Sequence, residues 1–312
     1  MARLRFRSCL QTKVRFRETK GGTKSNPGYA VNEEFNNIFY KDHPKGRFNL
    51  GKEDIVRNAN STSLKRFHAR GFNPNNMDLV IVGGLPENIE DLVEKYFDSI
   101  PKGENTRKKF PELPSLQKNM VIHRYAPERN NIDNPEESSA HINLSYVVVP
   151  EDHIDASALK IVSHILGFGA NSFLFQNMGL KKGLAYRADA GYDGFYNAGE
   201  MTIIVAVPAK RIEYAVDAIF EELEKIKAQE IDNKIIDRVK KTTKFGLAKA
   251  SESNEAYVLS IEYKLDYGLT QDDIFDRYNS VTPERIKEVA KKYFPDRENG
   301  EYVLYIRDPL KK

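Results

Sequence analysis

A single cysteine, Cys9, stands among 312 residues, so an internal disulfide and a multi-cysteine metal site are both excluded and a hydrophobic core must hold the fold. No run approaches the ~18 consecutive apolar residues of a membrane span. The opening residues also lack the uninterrupted apolar stretch of a signal peptide, which leaves the compartment open. Excess charge of one sign is missing too: 48 Lys and Arg against 45 Asp and Glu leave a formal charge of +3. That is too little to argue for nucleic acid or an anionic membrane without a basic patch. The one basic concentration, Arg3 to Arg17, carries no aromatics at stacking spacing and reads as a solvated face or frayed terminus. What remains, 40% hydrophobic and 30% charged residues over this length, is the balance of an ordered globular chain with room for two domains.

Periodicity divides the chain into alternating helices and strands. Residues 29–40 place Val31, Phe35, Ile38 and Phe39 at helical spacing, and Asp42-His43-Pro44 stops them, because a residue before proline is pushed out of the helical region. A second helix is expected over 61–72, capped by Asn60 or Ser61, with Leu64, Phe67 and Phe72 facing inward. A strand at 79–82 is turned by Gly83 and Gly84 into an amphipathic helix over 88–97, with Ile89, Leu92, Val93 and Tyr96 on one side. Pro111, Pro114 and a run of charge give 102–118 the composition of a linker, so the expected domains are 1–101 and 119–312. Beyond the linker, strands are expected at 120–124, 141–149, 201–207 and 302–306. Helices are expected at 155–166 (Ala158, Ile161, Val162 and Ile165 inward), at 212–227, at 232–267 in more than one piece, and at 282–293.

This mixture argues an α/β or α+β protein. One helix-turn-strand unit recurs. Leu64, Phe67 and Phe72 before the apolar run 79–82 correspond to Ile286, Val289 and Phe294 before the run 303–306, as either an internal duplication or a chance likeness of two common units.

Several short motifs, each weak alone, occur in one order. Asn73-Pro74-Asn75-Asn76-Met77 with the run 79–82 and Gly83, preceded by Asp42-His43-Pro44 and Gly51, resembles the helix, Pro-x-Asn-Met turn and strand that close the first domain of M16 metallopeptidases, the pitrilysin, insulinase and mitochondrial processing peptidase family. Ile165-Leu166-Gly167-Phe168-Gly169, Ser172-Phe173-Leu174-Phe175 and Lys182-Gly183-Leu184-Ala185-Tyr186 are similar to that family's glycine loop, Ser-x-Leu helix and Lys/Arg-Gly-Leu-x-Tyr motif. The resemblance runs from about residue 26 to the end. It implies an α+β fold of two related domains, antiparallel-rich sheets flanked by helices, closing as a clamshell around a chamber, with the first domain incomplete here. It also implies zinc-dependent peptide hydrolysis, in which the metal polarises the scissile carbonyl and a glutamate serves as general base.

The residues depart from that pattern in two places. The six histidines, His43, His68, His123, His141, His153 and His164, include no two at the spacing that puts both on one helical face, so a His-x-x-Glu-His motif is absent. Val14-Arg15-Phe16-Arg17-Glu18 resembles the helix carrying the family's third zinc ligand, which makes Glu18 either that ligand without its histidines or an exposed glutamate in a basic segment. A lone carboxylate does not hold zinc in a catalytic site, so none is expected on this chain alone. In the second domain Tyr186 is either a contact to a substrate carbonyl or oxyanion, or a strand tyrosine packed between domains. Its usual partner, an Arg seven residues earlier, is Gly179 here. Gly167 and Gly169 either line the chamber or serve as tight-turn glycines.

Three functions remain open on these residues: a zinc peptidase chain lacking its front, inactive alone; a non-catalytic partner of another M16 chain that brings the zinc; or an assembly protein without proteolysis. Peptides are the implied ligand and a homo- or hetero-oligomer the implied state. An incomplete sheet exposes an unpaired edge and part of a core, which favours association.

Overall fold

A computed structural model describes residues 27–47, 51–105, 111–125, 133–181, 183, 185–250 and 252–310. The chain divides into two compact units between Pro111 and Glu112.

The first unit is helical as far as it is described. Helices α1 (Pro27–Phe39), α2 (Glu53–Asn58), α3 (Ser61–Gly71) and α4 (Ile89–Phe97) follow in order. Phe35, Phe39 and Tyr40 are buried, with the Phe35 and Phe39 rings stacked at 5.6 Å. His43 ends this stretch: its Nδ1 accepts from the Lys45 amide at 3.2 Å and its Nε2 lies 3.0 Å from the Pro111 carbonyl. Asn60 caps α3 by accepting from the Ser63 amide at 2.9 Å, while Ser63 Oγ accepts from the Asn60 amide at 3.0 Å. Asn73 builds the Asn-Pro turn, accepting from the Asn75 amide at 3.1 Å and donating to the Arg70 carbonyl at 2.9 Å.

Two expectations for this unit are corrected. Residues 79–82 form no strand. A strand exists only where a neighbour completes its backbone hydrogen bonds, and among the described residues of this unit none is present. Leu64, Phe67 and Phe72 do not face inward but stand 43%, 65% and 54% exposed, with Leu79 and Ile81 also exposed. Tyr96, placed with the apolar side of α4, is exposed as well. Periodicity marks which face is apolar, and burial needs something to pack against it.

Within the second unit the apolar faces do have such partners. Strands β1 (Met120–Tyr125), β2 (Ser139–Val148), β3 (Arg187–Gly194), β4 (Gly199–Pro208) and β5 (Val303–Asp308) form one sheet in the order β1-β5-β2-β4-β3. Among the described strands only β1 and β5 run parallel. Helices α5 (Ala156–Gly167), α6 (Ile212–Ala228), α7 (Asn233–Ala250), α8 (Asn254–Tyr267), α9 (Gln271–Asn279) and α10 (Pro283–Tyr293) complete it, with a π-helical stretch at Phe175–Lys181. Alternate strand residues, Ile142, Leu144 and Tyr146 on β2 with Met201, Ile203 and Val205 on β4, enter a core closed by Ile161 and Ile165 of α5, Ile219 and Leu223 of α6 and Ile286 and Val289 of α10. Ile286, Val289 and Phe294 are thus buried where their counterparts Leu64, Phe67 and Phe72 are not. Among the described residues no helix is long and apolar enough to cross a membrane.

Candidate functional site

The start of β3 gathers the motif residues of the second unit. The π-helical stretch leads to Tyr186, Leu174 just before it and Met178 within it are fully buried in the core, and the Ala185 amide donates to the Met178 carbonyl at 3.2 Å. Helices of this wide kind are rare and tend to mark functional sites. The Tyr186 amide donates to the Ala206 carbonyl at 2.8 Å, so its backbone is pinned to β4 while its side chain stands 61% exposed. Tyr186 thus has a backbone fixed at the entry to β3 and an exposed side chain. Its neighbour Arg187 pairs with Asp189 one step along the same strand face.

The glycines differ in what they do. A Cβ on Gly167 would lie 2.7 Å from Ala190 Cα and closer still to the Ala190 nitrogen, so the end of α5 touches the backbone of β3. Gly167 is a packing glycine that positions the strand beginning at Tyr186. Gly169, at φ +78°, turns the chain in open space, and Gly179 faces the Phe175 ring at 3.3 Å. Glu18 and the basic segment at Arg3 to Arg17 lie outside the described residues.

Two buried carboxylates hold this frame and were not legible beforehand. Glu151, after β2, accepts from Lys160 of α5 and from the Tyr263 hydroxyl of α8. The Tyr192 hydroxyl of β3 donates to the Val149 carbonyl at 3.0 Å beside it, and burial together with the Glu151 charge pushes the Tyr192 and Tyr263 hydroxyls well above their ordinary values. Asp155, at the start of α5, pairs with Arg285 and with Lys292 at 3.1 Å and accepts from Tyr293 Oη at 2.5 Å. Burial pushes the Asp155 carboxyl up, but the Tyr293 and Lys292 hydrogen bonds and the Arg285 charge outweigh it and hold it below the usual range. Each cluster joins residues more than a hundred positions apart, so sequence spacing carries no trace of it.

The histidines are dispersed. His43 closes a turn, His68 and His164 stack on Phe72 and Phe168 at 4.8 and 4.7 Å, His123 bonds Asp308 at 3.1 Å, and His153 Nδ1 accepts from the Asp155 amide at 3.0 Å. His141 lies on the sheet face opposite the core. Burial lowers the pKa of His164 below the ordinary value. Among the described residues no three His, Cys, Asp or Glu side chains are placed to hold a metal together, so these side chains do not fit a zinc site.

Comparison with known proteins places this arrangement. Residues 58–243 match the family described as peptidase M16 inactive domain. The uncharacterized zinc protease YmxG of Bacillus subtilis is 25% identical over 287 residues, spanning 91% of this chain and 66% of that protein. The zinc protease PqqE of Helicobacter pylori is 24% identical over 303 residues, spanning 92% and 64%. The chain thus covers slightly under two thirds of these relatives' lengths. In fold it is similar to a peptidase M16 inactive domain from Pseudomonas fluorescens, at a TM-score of 0.84 and 20% identity over 99% of this chain and 72% of that one. A protease from Helicobacter pylori superposes at 0.81 with 23% identity, over 98% and 73%.

Proposed function

Since the chain belongs to the M16 peptidase family, whose inactive-domain description matches well over half of it, we propose that these residues form the substrate-holding, zinc-free part of such a peptidase. On this reading they bind an extended peptide without cleaving it, and hydrolysis needs a zinc-bearing M16 chain to act on what they hold. The observation that carries it is the pairing of a presented Tyr186 on a rigid strand start with histidines that share no metal geometry. Relatives named zinc proteases support zinc chemistry in the family.

Within this reading Tyr186, its backbone pinned to β4, donates a hydrogen bond to the substrate carbonyl. Gly169 leaves the adjoining wall open. Gly179, where the family has an arginine, removes one charged contact, so binding rests more on backbone and on other cations of the sheet.

The test is reconstitution. A separately purified zinc-bearing M16 chain is assayed on a quenched fluorescent peptide with and without this protein, and with its Tyr186→Phe variant. Stimulation that falls by about a hundredfold or more with Tyr186→Phe, on the scale of one lost oxyanion-type donor, supports the reading. Unchanged rates, with physical association retained, leave the purely architectural role that the family resemblance also allowed.

A further inference from the structure

Helix α8 is apolar and uncovered. Tyr257, Leu259, Ile261 and Leu265 fall on more than one side of it, and all four are exposed. None of the residues of α8 is buried. What ties it to the sheet is polar: the Tyr263 hydroxyl donates to Glu151, and the Tyr196 hydroxyl, just past β3, donates to Asp266 at 2.6 Å. A helix that is apolar on several sides is ordinarily enclosed, and an exposed apolar patch of this kind marks an interaction surface.

The charges around that patch point to its cover. Glu255, Leu259 and Glu262, at i, i+4 and i+7, share one face of α8. Lys241, Phe245 and Lys249, at i, i+4 and i+8, share a face of α7 turned away from the buried Ile236 and Val239. Phe245 is 69% exposed and Leu259 59%, and the two lysines and two glutamates are exposed as well. Among the described residues none of these four charged side chains has an ion pair or hydrogen bond. Other lysines of α7 are already occupied: Lys240 donates to the Asn279 and Val281 carbonyls at 2.9 and 2.6 Å, and Lys244 lies over the Phe275 ring at 5.8 Å. The basic stripe of α7 and the acidic stripe of α8 therefore do not meet within one chain.

Between chains they match. Laid antiparallel, Lys249 falls opposite Glu255, Phe245 opposite Leu259 and Lys241 opposite Glu262. The last pair is offset by one residue, ~1.5 Å of helical rise, which the flexible stem of a lysine spans. We infer that α7 and α8 form a self-association surface, on which α7 of one copy covers α8 of a second copy and the reverse contact repeats it about a twofold axis. Burial of Phe245 against Leu259 supplies the attraction, while the flanking lysines and glutamates fix the direction and exclude like-charged partners. Peptide holding plays no part in this contact.

The experiment is a charge exchange read by sedimentation velocity of the full chain at micromolar concentration. The wild type is expected to form a dimer that weakens with salt. Lys241→Glu with Lys249→Glu makes both stripes acidic, and Glu255→Lys with Glu262→Lys makes both basic. Each variant alone is expected to dimerise about tenfold or more weakly, since like charges then oppose each other in both contacts. Mixed in equal amounts, the two variants again set acidic stripes against basic ones in both contacts, and a mixed dimer of wild-type affinity is expected. All four side chains are exposed, so the circular dichroism spectrum is expected to stay unchanged. Should a charge variant misfold, Leu259→Gln serves in its place and is expected to weaken the dimer about tenfold or more, because the leucine contact is lost twice. A monomeric wild type overturns the inference and leaves α8 to a different protein. A dimer indifferent to all these substitutions overturns it and assigns association to another face, and variants that stay apart on mixing overturn it too.

Discussion

Gly167→Ala tests how β3 is positioned. A methyl group there meets Ala190 Cα at 2.7 Å and the Ala190 nitrogen closer still, whereas carbon atoms rest at about 3.5–4.0 Å. Helix α5 and strand β3 must separate by more than about 1 Å, and both partners are backbone, so no side chain can rotate aside. Overpacking of this kind costs about 1–3 kcal/mol, and a backbone clash belongs at the upper end. Replacing glycine at a helix end returns at most about 1 kcal/mol of propensity, which leaves a net loss of about 2 kcal/mol. At a urea m-value of about 2 kcal/mol/M the unfolding midpoint falls by about 1 M, and hydrogen exchange in β3 and β4 accelerates ahead of the rest of the sheet. Gly179→Ala, which meets only the movable Phe175 ring, is the control and leaves the midpoint nearly unchanged. A Gly167→Ala protein with the wild-type midpoint and wild-type exchange in β3 refutes the reasoning.

Further predictions follow from the same contacts. Asp155→Asn removes the charge that Arg285 and Lys292 face and costs about 1–3 kcal/mol at neutral pH. Because the folded-state pKa of Asp155 is depressed, its contribution is present above the ordinary carboxylate range and is lost as pH falls below about 4. The loss of stability toward acid should therefore be steeper in the wild type than in the variant. Asn60→Ala takes away the cap of α3 and lowers stability of the first unit by about 1 kcal/mol, read as faster exchange of the α3 amides. The exposed Leu64, Phe67, Phe72, Leu79 and Ile81 should make the purified protein bind a hydrophobic dye or self-associate at micromolar concentration. A monodisperse monomer without dye binding counts against this.

Legibility in the sequence followed partner availability. Helix α5 was readable because Ala158, Ile161, Val162 and Ile165 recur at helical spacing and all four are buried. Residues 79–82 read as a strand on the same kind of evidence and are not one, since periodicity reports a face and says nothing about what covers it. Strand β3 went unread for the opposite reason. Arg-Ala-Asp-Ala-Gly-Tyr-Asp-Gly has little strand propensity, yet eight residues of it pair with β4. Tyr186 and the glycines were found by motif, while the Glu151 and Asp155 clusters depend on how distant strands and helices are brought together.

The central claim is that these residues hold peptide without supplying the metal chemistry. Elemental analysis of the purified chain for zinc, alongside cleavage of a quenched fluorescent peptide with and without a chelator, tests it most directly. The account predicts no stoichiometric zinc and no chelator-sensitive cleavage. About one equivalent of zinc with cleavage abolished by the chelator would contradict it, and would mean that the ligands come from an arrangement other than the dispersed histidines described above.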